Sequence, residues 1–317
     1  MKSDFDAYIT GIAKDVSGKL GNSLDVSTTR WIRPPTGEDQ VRDATLAFYV
    51  DGHKRGDDVV LLISNTLFPG AVKADVACAR DVAGRVSRQV SAHISAPVCE
   101  GQSGKQTYAA YSRLSPLSEF RPVRMLQKAR AAKQTLPWLV QLAKETRLHR
   151  GTPEDYERVF ADPLASLGGD TNVPARVRAR AQEYRDFVQD RKPDLFTVVQ
   201  HGDFWIGNVF FERRKLPDLN PYLGDFSIID WRGARQDGYP CTDCMRFCSS
   251  LFRTGSERNS QLIAEYRSAL DIPAEEFQVY CFLALGRLGT ELDQFPAEKY
   301  AELCDHTLTF IDTHCPR

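Results

Sequence analysis

Over the first ~20 residues the apolar positions Phe5, Tyr8, Ile9, Ile12 and Val16 recur at helical spacing, which predicts a helix there. Strand-like apolar runs follow at Ala44 to Val50, Val59 to Ser64 and Gln106 to Ser112. Between the last two, residues 71–90 return to helical spacing. Residues 1–114 therefore read as a small β-rich part carrying one packed helix. Beyond Leu114 the texture changes. Residues 121–149 and 174–190 read as helices rich in strong helix formers. Thr197 to Gln200, Val209 to Phe211 and Phe226 to Asp230 read as short strands, with a turn-rich insertion at 213–225 before the last. After Pro240 the pattern is helical to about Thr313. No repeat or low-complexity stretch interrupts it. The pattern predicts an α+β, bilobed architecture, with lobes at 1–114 and 115–317, a boundary within Ser112–Ser118 and a ligand cleft between the lobes.

Composition narrows the function classes. The 317 residues are 42% apolar and 26% charged, and 41 Lys and Arg against 42 Asp and Glu leave a net charge of −1. That balance argues against a whole-surface nucleic-acid binder. The opening MKSDFDAYITGIAKDV is polar and unlike a secretory leader, and runs such as Val59 to Ile63 are too short to span a bilayer. A soluble, cytoplasmic protein without transmembrane segments is expected. The eight cysteines are then expected as reduced thiols. Cys241, Cys244 and Cys248 form a C-x2-C-x3-C cluster, but no second pair or nearby His supplies a fourth metal ligand. Buried thiols on a helix are the expected reading.

The sharpest chemical feature is His201-Gly202-Asp203-Phe204-Trp205-Ile206-Gly207-Asn208, set between two short apolar strands. The second is Ile228-Ile229-Asp230-Trp231 at the end of another. Phosphoryl transfer needs a carboxylate to orient and deprotonate the attacking hydroxyl, and oxygen ligands that hold magnesium against nucleotide phosphates. A loop with Asp and, five residues on, an amide supplies the first and one of the second. An Asp at a strand end supplies another metal ligand. Gly202 permits the tight turn that presents Asp203.

These motifs carry a resemblance. HGDFWIGN resembles the H-G-D-x4-N catalytic loop of the aminoglycoside phosphotransferase and choline kinase-like family, which has a protein-kinase-like fold. IIDW is similar to that family's I-D-W metal-binding motif, and Asp243 in GYPCTDC fits the G-x-P-x2-D segment that follows. The resemblance implies a transferase using ATP or GTP with Mg2+. It implies Asp203 as catalytic base with His201 bracing its loop, Asn208 and Asp230 as metal ligands, and Asp243 as an anchor of the loop backbone. Asp225-Phe226-Ser227 imitates the D-F-G of protein kinases but precedes its strand, so a turn role is expected for Asp225.

The small lobe departs from the pattern. The family carries a Lys on the third strand and an acidic partner on the next helix, yet the strand here is VVLLIS, with Leu62 or Ile63 in the Lys position. Lys54 precedes the strand, and Lys73 follows it near a helix start, where free N–H groups favour phosphate. Lys73 is the expected substitute for nucleotide binding, with Asp81, rather than Asp75, the better-placed acid. Gly37 is a lone glycine without a phosphate loop around it. Two alternatives stay open: the phosphates are held by magnesium and backbone alone, or turnover has been lost and the protein is a pseudokinase-like binding protein.

Charge bears on the acceptor. From Arg113 to Arg150 nine Lys or Arg face two Asp or Glu, and Arg232, Arg235, Arg246 and Arg253 follow Asp230. Such a field repels a polycation and favours a sugar or glycan, neutral or anionic, over an antibiotic-inactivating role. It also leaves peripheral contact with an anionic surface open. Trp205 and Trp231 flank the two acids and either stack on a sugar ring or belong to the core.

Overall fold

The computed structural model describes residues 2–33, 45–54, 56–149, 152–211, 226–292 and 296–316. Gly37, Asp225 and the insertion at 213–225 lie outside the described residues. The chain opens with α1 (Lys2–Lys19), β1 (Leu24–Arg33), β2 (Thr45–Gly52), β3 (Val59–Ser64), α2 (Ala71–Arg85), α3 (Arg88–Ser91), β4 (Cys99–Ser103) and β5 (Gln106–Ser112). The five strands form one antiparallel sheet in the order β1-β2-β3-β5-β4.

Both faces of this sheet are covered, which explains the unbroken apolar run of β3. Val59, Leu61 and Ile63 point to one face, where they pack with Ile9, Ile12 and Val16 of α1. Leu62 points to the other, against Val72 and Val76 of α2 and Ala109 of β5. The strand period of two separates these sets. The helix predicted over 71–90 is broken at Val86, and Ser87 caps the short α3 by accepting from the Val90 N–H. The start of α2 lacks a side-chain cap of its own. Its N–H groups are instead met by the sheet: Val72 donates to Ser64 Oγ at 2.9 Å and Lys73 to Thr107 Oγ1 at 3.3 Å.

The chain continues through α4 (Arg121–Thr146), β6 (Leu148–His149), α5 (Pro153–Tyr156), a π-helical turn at Glu157–Ala161, α6 (Asp162–Gly169), α7 (Ala175–Arg191) and β7 (Phe196–Gln200). Then come a 3-10 turn at Ile206–Asn208, β8 (Val209–Phe211), β9 (Phe226–Ile228), a second 3-10 turn at Trp231–Gly233 and β10 (Arg235–Gly238). Four helices complete the described chain: α8 (Pro240–Leu251), α9 (Glu257–Leu270), α10 (Ala274–Gly289) and α11 (Ala297–His314). No described helix is long and apolar enough to cross a membrane.

The architecture is α+β, with a β-rich amino-terminal part and a helical carboxy-terminal part. Two compact units can be separated. The first comprises residues 1–119 together with 209–232, so the β8–β9 pair belongs with the five-stranded sheet's unit. The second comprises 120–208 and 233–317, and holds the small sheet β10-β7-β6 among the helices.

Candidate active site

In the second unit, β7 is buried along its whole length and delivers His201, itself fully buried, to the start of the loop. Gly202 then turns the chain at φ +84°, and a Cβ there would stand 2.4 Å from the Gly233 carbonyl oxygen. Only glycine fits both demands. The turn is held by Asp243, near the start of α8, whose Oδ2 accepts the His201 N–H at 2.6 Å and whose Oδ1 accepts the Gly202 N–H at 3.1 Å. This is the anchoring contact expected of Asp243. Burial pushes its carboxyl up to about 6, against the opposing pull of those two N–H groups and of the Arg246 charge.

His201 Nδ1 accepts the Asp203 N–H at 3.3 Å, so any ring proton of the neutral form sits on Nε2. The imidazole thus braces the loop from within the core. Phe204 is a second anchor, stacked on Trp138 at 5.9 Å and packed on Phe247 at 5.2 Å. With its neighbours fixed, the Asp203 carboxylate stays about two-fifths exposed. Asn208 Nδ2 donates to the Asp203 carbonyl at 2.8 Å and to its Oδ2 at 3.2 Å. Both partners only accept, so the amide orientation is set by chemistry, and Oδ1 is left as the oxygen a cation can use. Arg246 Nη2 donates to Asp203 Oδ1. Ile206 N–H donates to Ser250 Oγ at 2.9 Å. Asp243, Arg246 and Ser250 follow helical spacing, so one face of α8 grips the loop at three points.

Trp205 and Trp231 differ in burial. Trp231 is buried, and its Nε1 donates to the Ile228 carbonyl at 3.0 Å. Trp205 is 45% exposed, with its ring seated where a Cβ on Gly207 would fall.

In the first unit, β9 pairs with β8 and also meets the segment after α3. Ile228 N–H donates to the His93 carbonyl at 2.8 Å, Ser95 N–H donates to the Ile228 carbonyl at 3.0 Å, and the Phe226 ring stacks on His93 at 4.0 Å. The strand ends at Ile228, two residues before the sequence pattern suggests, where its pairing with Val209 at the start of β8 ends, and Asp230 then adopts φ +65°. A non-glycine residue held in the left-handed region costs roughly 1 kcal/mol or more and persists where its surroundings impose it. Asp230 is exposed at this bend.

The acid of α2 that meets this bend is Asp75. The N–H groups of Trp231 and Arg232 favour its charged form, while burial and then the Asp230 charge push its carboxyl up to about 6. Its Oδ1 is hidden from solvent and has no partner of good hydrogen-bond geometry among the described residues. The Tyr111 hydroxyl from β5 lies against the same carboxylate, and burial together with the Asp75 charge raises that phenol. Where a strand Lys would face an acidic helix, the sheet presents Leu62 and Tyr111. Asp81 is elsewhere: six residues on, it is rotated by about 240° around the helix, is exposed and pairs with Arg85 at 3.2 Å. Lys73 is exposed, about 200° round from Asp75. The free N–H groups expected beside it are engaged by Ser64 and Thr107. The sequence ranks Asp75 below Asp81 because it carries no measure of depth for a helix face. Tyr111 carries no sequence signal of a site, and Arg246 enters the sequence reading only as one of the cations that follow Asp230.

Arg121, Arg124, Lys133, Lys144 and Arg147 of the basic stretch are exposed, and some of its cations engage the protein. Lys128 donates to the Ser250 and Leu251 carbonyls at the end of α8, both at 2.8 Å. The Arg147 guanidinium lies over Phe196, 3.8 Å from the ring centroid, and Arg113 pairs with Asp51 at 3.4 Å. The cysteine cluster is buried: Cys241, Cys244 and Cys248 lie along α8, where burial pushes the Cys241 and Cys244 thiols up. Among the described residues no group of three or more His, Cys, Asp or Glu side chains is arranged to hold a metal.

No protein-family model matches the chain, and none of the curated proteins matches it. Solved structures do. An aminoglycoside phosphotransferase APH(4)-Ia thermostable mutant, in ternary complex with AMP-PNP and hygromycin B, aligns with 17% identity over 94% of this chain and 98% of its own, at a TM-score of 0.54. Its apo form aligns with 17% identity over 93% and 97%, at 0.52. A choline/ethanolamine kinase family protein from Mesorhizobium loti aligns with 13% identity over 95% and 98%, at 0.51. The chain therefore has the protein-kinase-like fold that aminoglycoside phosphotransferases and choline/ethanolamine kinases share.

Proposed function

We propose that the protein is a small-molecule kinase that transfers the γ-phosphoryl group of ATP or GTP to a hydroxyl. The observation that carries the reading is the loop 201–208. A half-exposed carboxylate is held by a buried His, an amide and one face of α8, which suits a base positioned for a hydroxyl. The attacking hydroxyl gives its proton to Asp203 as its oxygen bonds to phosphorus. The electron pair of the broken bond leaves on the nucleoside diphosphate.

Asn208 and Asp230 fit magnesium, each on its own surroundings. Asn208 Oδ1 is freed by the donations of its Nδ2, and the Asp230 carboxylate is exposed at a backbone bend held out of the β region. Bound magnesium would neutralise nucleotide phosphate charge there. The binding-only alternative rests on the missing strand Lys, and the assembled loop weighs against it.

The acceptor is proposed to be a sugar or glycan, neutral or anionic. A guanidinium on the base itself disfavours a polycation. Trp205, exposed two residues from the base, offers a ring face for a sugar. The test is a screen with labelled ATP and GTP plus Mg2+ against neutral sugars, sugar phosphates and aminoglycosides. Transfer to a member of the first two groups supports the reading. Transfer to aminoglycosides alone contradicts the acceptor assignment, and no transfer to any alcohol contradicts the kinase.

A further inference from the structure

We propose that Arg246 is a catalytic residue that contacts the transferring phosphoryl group; the inference rests on the kinase reading above. Three observations support it. The first is place. Arg246 donates through one Nη to the carboxylate oxygen of Asp203. Whatever hydroxyl Asp203 deprotonates must have the phosphorus within bonding reach, so the group beside Asp203 is also beside the oxygens of the phosphoryl. The second is unspent capacity. A guanidinium has five N–H donors in a planar fork, the ion pair occupies one side of it, and the side chain is 40% exposed. The third is preorganisation. The helix that carries Arg246 is tied to the loop one turn before it by Asp243 and one turn after it by Ser250, so its root cannot drift from the base.

Two simpler roles account for less. An ion pair this exposed contributes little to stability. Nor does holding the Asp203 carboxylate use the rest of the fork, since Asn208 already donates to its other oxygen. The transition state is loose, and charge on the equatorial phosphoryl oxygens is the larger demand. A cation at that point answers the demand directly, in a chain whose β3 position facing α2 is Leu62 rather than a lysine.

The step is in-line displacement. The acceptor oxygen bonds to phosphorus, the bond to the nucleoside diphosphate oxygen breaks with its electron pair leaving on that oxygen, and the acceptor proton passes to Asp203. Arg246 donates hydrogen bonds to the equatorial oxygens throughout and exchanges no proton.

The experiment measures two rates in the full chain with Mg2+ and ATP: transfer to the best acceptor from the screen, and acceptor-independent hydrolysis, in which water replaces the alcohol. The variants are Arg246→Ala, Arg246→Gln and Arg246→Lys. Binding of Mg·AMP-PNP and the thermal midpoint serve as folding controls. In Arg246→Ala and Arg246→Gln both kcat values are expected to fall by about 10²- to 10³-fold, with acceptor KM within about threefold. Arg246→Lys should recover about tenfold, and guanidinium salt should partly restore Arg246→Ala. If hydrolysis is unchanged while acceptor KM rises, the guanidinium binds the acceptor and the inference is overturned. Unchanged rates in all three variants overturn it as well. A wild-type protein that binds Mg·AMP-PNP yet neither transfers nor hydrolyses overturns the kinase reading, and this inference with it.

Discussion

Asp75 on α2 and Asp230, two residues beyond β9, are neighbouring carboxylates: burial and then the Asp230 charge raise the pKa of Asp75, while the backbone N–H groups of Trp231 and Arg232 hold it down. The helix acid therefore bears on the segment that carries the proposed metal ligand, without a strand lysine between them. Truncation and isosteric replacement separate its two roles. Asp75→Ala leaves the Trp231 and Arg232 N–H groups without their acceptor, and is expected to cost about 1–3 kcal/mol in urea unfolding and to weaken Mg·nucleotide binding. Asp75→Asn keeps an acceptor oxygen and removes the charge facing Asp230, so it should retain most of both. Equal losses in the two variants would show that the charge, not the hydrogen bonds, is what matters.

Asp243 makes a prediction about pH. Its carboxyl is pushed from 3.8 to about 6 in the folded protein, so between these values the native state holds the proton more tightly than the unfolded chain. The contribution of this group to stability is then greatest below pH ~4 and declines as pH rises through ~6. The rise from 3.8 to about 6 corresponds to roughly 3 kcal/mol. Measured by urea unfolding, the stability of wild type relative to Asp243→Asn should fall by up to that amount between pH 4 and pH 7. A difference that grows with pH would refute the assignment of burial as the dominant influence.

Gly202→Ala tests the turn. The added Cβ meets the Gly233 carbonyl oxygen at 2.4 Å in a backbone conformation that side chains rarely adopt. A loss of about 2 kcal/mol or more is expected, together with loss of transfer, because relief of the clash moves Asp203. Wild-type activity in a variant of wild-type stability would show that the turn is looser than described.

Lys73 and Asp81 are expected to matter little individually. Lys73 points to solvent away from Asp75, and Asp81 is engaged with Arg85. Nucleotide affinity of Lys73→Ala and Asp81→Ala, measured at fixed Mg2+, should stay within about twofold of wild type. A selective tenfold loss in Lys73→Ala would restore that lysine as the substitute for the absent strand Lys.

The legible parts of the fold are those where burial writes a period into the chain. Helix α1 and strands β2, β3 and β5 stand where the apolar positions put them. Strands β1 and β4 leave no such mark because they are the edges of the sheet. LDVSTTRWIR is mostly partly exposed and its pairing is irregular, and CEGQS alternates without a buried residue. Edge strands are commonly polar, so their sequences read as loop. The loop 201–208 is legible because glycine, His, Asp and Asn are each required by local chemistry within eight residues. Asp75 and Arg246 are not, because each acts on a segment far away in sequence: Asp75 on Trp231 and Arg232, Arg246 on Asp203. Helical spacing tells which residues share a face but not which loop that face will meet.

The central claim is that Asp203 is the base of a phosphoryl transfer. The most direct measurement is the rate of label transfer from γ-labelled ATP to an alcohol acceptor, with Mg2+, by wild type and by Asp203→Asn, whose amide keeps the shape of the side chain and removes its basicity. The account predicts Mg2+-dependent transfer by wild type and a loss of about 10²- to 10⁴-fold in the variant, with Mg·AMP-PNP affinity and thermal midpoint close to wild type. Transfer at the wild-type rate by Asp203→Asn would contradict it.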